Sequence, residues 1–131
     1  MIVLDTHIII WDALKPDAIS NRAKKAISKA KFEKEILICE ISWWETAMLI
    51  KKGRLQIKMS YLEFIDLIIR SNPYIIKGIT PEIANLSVNF PDSINFDPAD
   101  RIIAATAILH DASLITADEN LIAAKEIKTI W

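Results

Sequence analysis

Ile2-Val3-Leu4-Asp5-Thr6 opens the chain, and this stretch decides the fold because an apolar run ends directly in a carboxylate. A short, uninterrupted apolar run is typical of a strand that is buried on both faces of a parallel sheet. Ligands bind open parallel sheets in the crevice beyond the carboxyl ends of the strands. The stretch therefore predicts a buried parallel strand that carries an acidic side chain to a ligand crevice.

Short apolar runs and helical periodicity alternate along the rest of the chain. The runs predict further strands at Ile36–Cys39, Tyr74–Lys77, 113–116 and 127–130. Spacing and capping residues predict helices at 8–14, 20–31 and 43–52, after Ser60, after Thr80, and at 97–110 and 118–125. This alternation predicts one α/β domain with a mostly parallel sheet flanked by helices.

Composition narrows the kinds of site that the chain can form. Its 131 residues suit one domain, and two glycines are too few for phosphate-binding loops such as G-x-G-x-x-G. One cysteine and two histidines exclude a disulfide framework and cysteine-rich or histidine-rich metal sites. A metal bound by this chain would therefore be held by oxygen.

The formal net charge of −1 conceals a basic first half and an acidic second half. Basic residues cluster between Arg22 and Lys34, either as a solvated helix face or as a basic rim beside an acidic centre that handles a polyanion. No stretch has the pattern of a signal peptide or a membrane span. Together with a single thiol, this predicts a soluble, cytoplasmic protein.

Acidic residues recur where the predicted strands end. Asp5 follows the first strand, Glu45 comes soon after the second, and Asp118 comes just after the fourth. Asp97 and Asp100 open a helix that is expected to pack on the same sheet. Converging carboxylates repel one another, which raises their pKa values unless a cation neutralises them. Their hard oxygen atoms favour Mg²⁺ or Mn²⁺ over zinc.

Helix capping is a second explanation for most of these acids. Ser42-x-x-Glu45 has the spacing of a capping box, and Asp118 is placed to cap the helix after it. Asp97 suits an N-cap, and Asp100 would interact favourably with the helix dipole. Asp5 is the exception, because we expect no long helix for it to cap and a buried carboxylate without a partner is costly. The recurrence of acids at strand ends favours a metal site over capping alone.

Four short motifs follow one another along nearly the whole chain. They are Val3-Leu4-Asp5-Thr6-His7, Ser42-Trp43-Trp44-Glu45 with Lys51-Lys52-Gly53-Arg54-Leu55 after it, Asp97-Pro98-Ala99-Asp100-Arg101, and Leu114-Ile115-Thr116-Ala117-Asp118. In this order and spacing the chain resembles the PIN-domain ribonucleases, and among them the VapC-like toxins of bacterial and archaeal toxin–antitoxin pairs.

This resemblance implies that residues 1–131 form one PIN-like nuclease domain that cuts RNA with Mg²⁺ or Mn²⁺ held by acids at the strand ends. The four acids that it implies in catalysis are Asp5, Glu45, Asp100 and Asp118. The metal ligands that it implies among them are Asp5, Asp100 and Asp118. The supporting residues that it implies are Thr6, Thr116 and Arg101. Asp97 then keeps its capping role.

One departure from the family's pattern lies just before Asp97. Relatives often carry a histidine there, whereas this chain has Ser93-Ile94-Asn95-Phe96. His7 is expected to be a structural or rim residue rather than a general base.

The resemblance also implies an antitoxin whose tail occupies a groove and places an arginine or lysine near Asp5 and Asp118. Ile8-Ile9-Ile10-Trp11 is more apolar than one buried helix stripe requires, which predicts such a groove or the face of a homodimer. Trp43 and Trp44 are adjacent on a helix, so we expect one in the core and the other along the cleft or a partner surface.

Two other functions remain open from the sequence. A Mg²⁺-dependent phosphatase would share the acidic strand ends, but phosphatases of the haloacid-dehalogenase type usually have Asp-x-Asp after the first strand, where this chain has Asp5-Thr6-His7. A non-enzymatic α/β binding module would use every acid as a helix cap.

Overall fold

Five parallel strands form one sheet in the described part of the chain, residues 1–91 and 97–131 of the computed structural model. The strands are β1 (Ile2–Leu4), β2 (Ile36–Cys39), β3 (Tyr74–Lys77), β4 (Ser113–Ile115) and β5 (Thr129–Ile130). They lie in the order β3-β2-β1-β4-β5, so β1 is the middle strand and pairs with both β2 and β4. The predicted α/β fold with a parallel sheet is confirmed.

Seven α-helices connect and flank these strands within the same described ranges. They are α1 (Thr6–Leu14), α2 (Asn21–Glu33), α3 (Ile41–Lys51), α4 (Tyr61–Ser71), α5 (Pro81–Val88), α6 (Pro98–Leu109) and α7 (Glu119–Ala123). As predicted, the hydroxyls of Ser20, Ser60 and Thr80 cap α2, α4 and α5. Among the described helices, none is long and apolar enough to cross a membrane.

Helices cover both faces of the sheet, which explains why its central strands are apolar without alternation. Successive side chains of a strand point to opposite faces. Val3 of β1 therefore packs with Ile103 of α6 in one core cluster. Leu4, its neighbour, packs with Ile8 of α1 and Phe64 of α4 in the other. β1 is thus packed between two apolar core clusters, which fix the position of Asp5 directly after it.

The apolar stretch after Asp5 is not a surface groove. Ile8, Ile9 and Ile10 are all buried, and only Trp11 among these four residues is half-buried. The prediction of a partner groove or dimer face at this stretch is therefore wrong. The reason is that the first turns of α1 pack into the core, where Ile8 and Ile9 join the cluster that includes Leu4, while Ala13 and Leu14 at the end of the helix are exposed.

The basic run between Arg22 and Lys34 lies on α2 and its end. Ala23, Ile27 and Ala30 turn into the core, while most of the basic side chains are exposed. Lys31 forms an ion pair with Asp12 at 2.7 Å. The exposure and this ion pair favour the interpretation of the basic run as a solvated helix face, rather than as a basic rim beside an acidic centre.

Gly53 ends α3, as predicted, and its φ of +71° is a left-handed conformation that disfavours other residues. We expect Gly53→Ala to lower the free energy of unfolding by about 1 kcal/mol because a Cβ is strained at this φ. The matched control is the chain's other glycine, Gly78, where an added Cβ would meet Glu40 only at an ordinary contact distance of 3.5 Å. Urea unfolding should find Gly78→Ala close to wild type, and equal losses in the two variants would contradict the prediction.

Candidate active site

One acidic cleft of about 450 Å³ opens at the carboxyl ends of β1 and its two neighbours. Its lining residues are Asp5, His7, Trp11, Glu45, Asp97, Asp100, Ala117 and Asp118. All five acids predicted at strand ends and at the start of α6 therefore meet in this cleft. The chain builds β2 and β3 on one side of β1 and then crosses to the other side for β4, so the cleft lies at the topological switch point of the sheet.

Three of the acids form the centre of the cleft. Asp5, Glu45 and Asp100 each offer a carboxylate oxygen, and these oxygens lie within 4.8 Å of one another. Asp118 lines the same cleft but is outside this group of three. The geometry therefore groups Glu45, rather than Asp118, with the two other predicted metal ligands. A donor set made only of carboxylate oxygens fits a hard divalent cation such as Mg²⁺ or Mn²⁺.

Asp5 is held at the end of β1 by two hydrogen bonds. Its Oδ1 accepts from the backbone N–H of Thr6 at 2.8 Å, and its Oδ2 accepts from the Thr116 hydroxyl at 2.7 Å. Asp5 is the N-cap of α1, which starts at Thr6 rather than near residue 8. The sequence predicted a short helix at 8–14 and no long helix for Asp5 to cap. The structure starts this nine-residue helix two residues earlier, so Asp5 does act as a cap.

Glu45 reaches the cleft from the first turns of α3. The helix begins at Ile41, so Ser42 lies inside it and does not cap it, and the capping-box interpretation is wrong. The Ser42 hydroxyl is buried and instead lies 2.9 Å from Oγ1 of Thr6. Oε1 of Glu45 accepts a hydrogen bond from that same threonine hydroxyl. Thr6 thus links the end of β1 to α3 and fixes Glu45 beside Asp5.

Asp97 and Asp118 both cap helices, as predicted. Oδ1 of Asp97 accepts from the N–H groups of Ala99 (2.9 Å) and Asp100 (3.4 Å) at the start of α6. Oδ1 of Asp118 accepts from the N–H groups of Asn120 (2.8 Å) and Leu121 (3.1 Å) at the start of α7. Each cap involves one carboxylate oxygen, and both side chains also line the cleft.

The supporting residues predicted from the sequence have different surroundings. Thr116 is fully buried, donates to Asp5 and accepts the backbone N–H of Asp118 at 3.0 Å, so it joins two of the acids. Arg101 points towards α5, where its Nη1 donates to the carbonyl of Ser87 at 3.5 Å. Ser42 is the supporting residue that sequence reasoning missed.

His7 is exposed and lies on the rim of the cleft, as predicted. Its ring centroid is 5.9 Å from that of Trp11, whose own ring packs 6.1 Å from that of Trp131. The family departure at Ser93-Ile94-Asn95-Phe96 lies outside the described residues.

Burial and repulsion between neighbouring acids raise the pKa values of Asp5, Glu45 and Asp100. Burial, followed by repulsion from Asp5, Asp97, Glu45 and Asp118, raises the pKa of Asp100 to about 8. Burial also raises the pKa values of Asp5 and Glu45, although hydrogen bonds from Thr116 and Thr6 oppose the rise. Among the described residues, no lysine or arginine lines this cleft. The cluster therefore has the electrostatic character of a cation site.

Residues 2–127 match the PIN domain family. The chain belongs to the PIN-domain family. It is also 34% identical to Ribonuclease VapC22 of Mycobacterium tuberculosis, over 99% of this chain and 98% of the relative. The resemblance to PIN-domain ribonucleases predicted from the sequence is thereby confirmed.

Solved structures share the PIN fold of this chain. VapBC2 from Rickettsia felis, solved bound to a DNA fragment from its promoter, matches with a TM-score of 0.72 and 17% identity, covering 98% of this chain and 97% of the other. A toxin–antitoxin complex from Klebsiella pneumoniae matches with a TM-score of 0.64 and 22% identity, covering 97% and 95%.

The raised pKa of Asp100 predicts how stability depends on pH when divalent metal is removed by EDTA. The folded protein holds the Asp100 proton up to about pH 8, whereas an unfolded aspartate releases it near pH 4. The folded state binds more protons in this window, so the free energy of unfolding should fall as pH rises from about 5 to about 8. Asp100→Asn should flatten this slope in urea unfolding measured in EDTA.

Asp66→Asn is the matched control, because Asp66 is an exposed aspartate paired with Arg70 on α4, and it should keep the wild-type slope. Burial lowers the pKa of His110, which acts in the opposite sense, but equally in all three proteins. Parallel slopes for wild type and Asp100→Asn would contradict the prediction.

Proposed function

We propose that this PIN-domain protein is an endoribonuclease that hydrolyses RNA phosphodiester bonds with Mg²⁺ or Mn²⁺, and that it acts in the cytoplasm as the toxin of a toxin–antitoxin pair. The observation that carries the proposal is the approach of three carboxylate oxygens within 4.8 Å of one another. The ribonuclease name of the relative from Mycobacterium tuberculosis supports the substrate class. We further propose that the nuclease domain spans residues 1–131.

Each acid has a role in this proposal. Asp5, Asp100 and Glu45 would hold the cation, and Asp118 would complete the site as a fourth carboxylate that lines the same cleft. A divalent cation bound there would supply an activated water and would stabilise the charge that develops on the phosphodiester. Thr116 keeps Asp5 oriented through a 2.7 Å hydrogen bond, so the carboxylate does not have to reorganise during the reaction.

Two of the acids argue against a binding module in which every acid is a cap. Glu45 accepts from the side chain of Thr6, within the helix rather than at its start. Asp100 lies in the first turn of α6, whose N-cap is Asp97. Neither carboxylate is needed to start a helix, and both have pKa values raised by burial and by neighbouring acids. Their convergence favours catalysis by a bound cation.

Cleavage should depend on divalent metal and on Asp100. We expect EDTA to abolish RNA cleavage and Mg²⁺ or Mn²⁺ to restore it. Asp100→Asn should lower the cleavage rate by roughly 100-fold or more while the fold is retained, because it removes a charged ligand and relieves repulsion. The measurement is a time course of cleavage of total cellular RNA, with circular dichroism and thermal unfolding for each variant.

The matched control is Asp97→Asn. Asparagine caps helices about as well as aspartate, so this variant should keep most of the activity and stability. The reverse pattern, in which Asp97→Asn is inactive and Asp100→Asn is active, would move the metal ligand to Asp97. Full RNA cleavage by clean protein in EDTA would reject the metal mechanism.

An antitoxin and a second copy of the chain are the proposed protein partners. The toxin–antitoxin complex from Klebsiella pneumoniae, which has the same fold, supports the antitoxin. We propose that an arginine or lysine of the antitoxin reaches towards Asp5 and Asp118, where it would form charge-assisted hydrogen bonds.

Expression in cells tests the toxin assignment. The chain alone should arrest growth, and either co-expression of the neighbouring gene or Asp100→Asn should relieve the arrest. Co-purification should yield a stable complex, and light scattering should give the mass of a dimer for the toxin alone. Normal growth with the active chain, together with no complex on co-purification, would count against the antitoxin. The mass of a monomer in light scattering would count against the dimer.

A further inference from the structure

A pocket of about 290 Å³ continues from the acidic cleft along α3, and we call it the α3 pocket. It shares His7, Glu45 and Asp97 with the cleft, so the two spaces are contiguous. The wall that it adds includes Trp44 from the helix and Lys52 and Arg54 from the end of the helix. A ligand whose reacting group lies at the three central carboxylates would therefore extend into this pocket.

The end of α3 brings this wall together. Glu45, Leu49 and Lys52 are three or four residues apart, so they share one face of the helix. Gly53 then takes a positive φ, and the backbone N–H of Arg54 donates to the carbonyl of Leu49 at 2.9 Å. This contact turns the chain back along the helix and places Arg54 beside Lys52 at the pocket.

Trp44 is exposed, which is unusual for so large an apolar side chain. The residue is 58% exposed, whereas its neighbour Trp43 is half-buried and packs against the core. The expectation that the two tryptophans face different environments is confirmed. Packing of the core therefore accounts for Trp43 and leaves the indole of Trp44 as an open face on the pocket wall.

Lys52 and Arg54 supply positive charge that the acidic cleft lacks. Both are exposed, and within residues 1–91 and 97–131 neither lies within 4.0 Å of a carboxylate oxygen. A phosphodiester chain that approaches the carboxylates is repelled by them, so it needs cations nearby to hold its other phosphates. These two cations line the space next to the cluster, whereas the basic run of α2 contributes no residue to either pocket.

We propose that the α3 pocket binds a nucleotide that neighbours the scissile phosphodiester of single-stranded RNA. The indole of Trp44 stacks on its base, and Lys52 and Arg54 contact the adjacent phosphates. Stacking on an aromatic face and phosphate contacts from cations are the two components of sequence-tolerant binding to single strands. The inference rests on the proposed ribonuclease function and adds the surface that positions the substrate. A peptide segment is the competing occupant, and the pair of cations beside the acids favours RNA.

Fluorescence anisotropy with an end-labelled, single-stranded 12-nucleotide RNA of mixed sequence tests the pocket. All variants are made in the Asp100→Asn background, so that the RNA stays intact. Trp44→Ala should weaken binding roughly 5- to 150-fold, as expected for the loss of one stacked base, and Trp44→Phe should retain most of the affinity. Lys52→Ala and Arg54→Ala should each weaken binding and each reduce the slope of log affinity against log salt by about 0.7.

The chain offers matched controls outside the pocket. Phe32, which is 90% exposed on α2, controls for loss of an exposed aromatic side chain, and Lys51 controls for loss of a lysine next to Lys52. Phe32→Ala should leave the affinity unchanged, and Lys51→Ala should leave it within about twofold of the parent. Thermal unfolding of each variant separates a loss of binding from a loss of folded protein.

Four outcomes separate this inference from the proposed function. If the chain cleaves RNA in Mg²⁺ but Trp44→Ala and Lys52→Ala bind RNA as tightly as the parent, the inference is overturned and the ribonuclease function stands. If Trp44→Ala weakens RNA binding but the wild-type chain cleaves no RNA, the pocket is supported and the ribonuclease function fails. Absence of RNA binding by the parent overturns the inference. Loss of antitoxin binding by Trp44→Ala, with RNA binding unchanged, also overturns it and assigns the pocket to a peptide.

Discussion

Carboxylates that converge in a partly buried cleft repel one another, so the surrounding structure must hold them there at a cost in stability. Uncharged hydrogen-bond donors hold two of these carboxylates in place. The Thr6 N–H and the Thr116 hydroxyl bind the two oxygens of Asp5, and the Thr6 hydroxyl binds Glu45. Such donors fix the position of the acids without cancelling their charge. The cleft thereby keeps the negative potential that a cation site needs.

The topology of the sheet brings these acids together. β1 is the middle strand and is clamped between two core clusters, so the residue after it has little freedom. Parallel pairing of β1 with β2 and β4 brings the carboxyl ends of all three strands to one edge. Asp5, Glu45 and Asp118 then meet although they are far apart in the chain. The packed apolar interior therefore fixes the positions of the acids in the cleft.

The sequence predicted the features that depend on local pattern or on the general geometry of parallel sheets. Apolar runs marked the strands, and the acids after them implied a common edge of the sheet, where Asp5, Glu45 and Asp118 do line one cleft. Tertiary contacts decided the rest. Ser42 looked like a cap, but its partner is Thr6, 36 residues away. Ile8–Ile10 looked like a groove, because three consecutive isoleucines exceed one helical stripe, yet the tertiary packing of α1 buries all three. The position of Arg54 on the wall of the α3 pocket depends on how the chain turns after α3.

Three acids of the cleft also cap helices, which is a structural role independent of catalysis. Asp5, Asp97 and Asp118 start α1, α6 and α7, whereas Glu45 and Asp100 start no helix. Selection for folding alone would therefore keep a capping residue such as Asp, Asn or Ser at three of the five positions, even in a descendant that had lost its chemistry. In an alignment of divergent PIN domains, retention of capping residues at these positions would report the fold. Retention of Glu45 and Asp100 would distinguish a working nuclease from a pseudoenzyme.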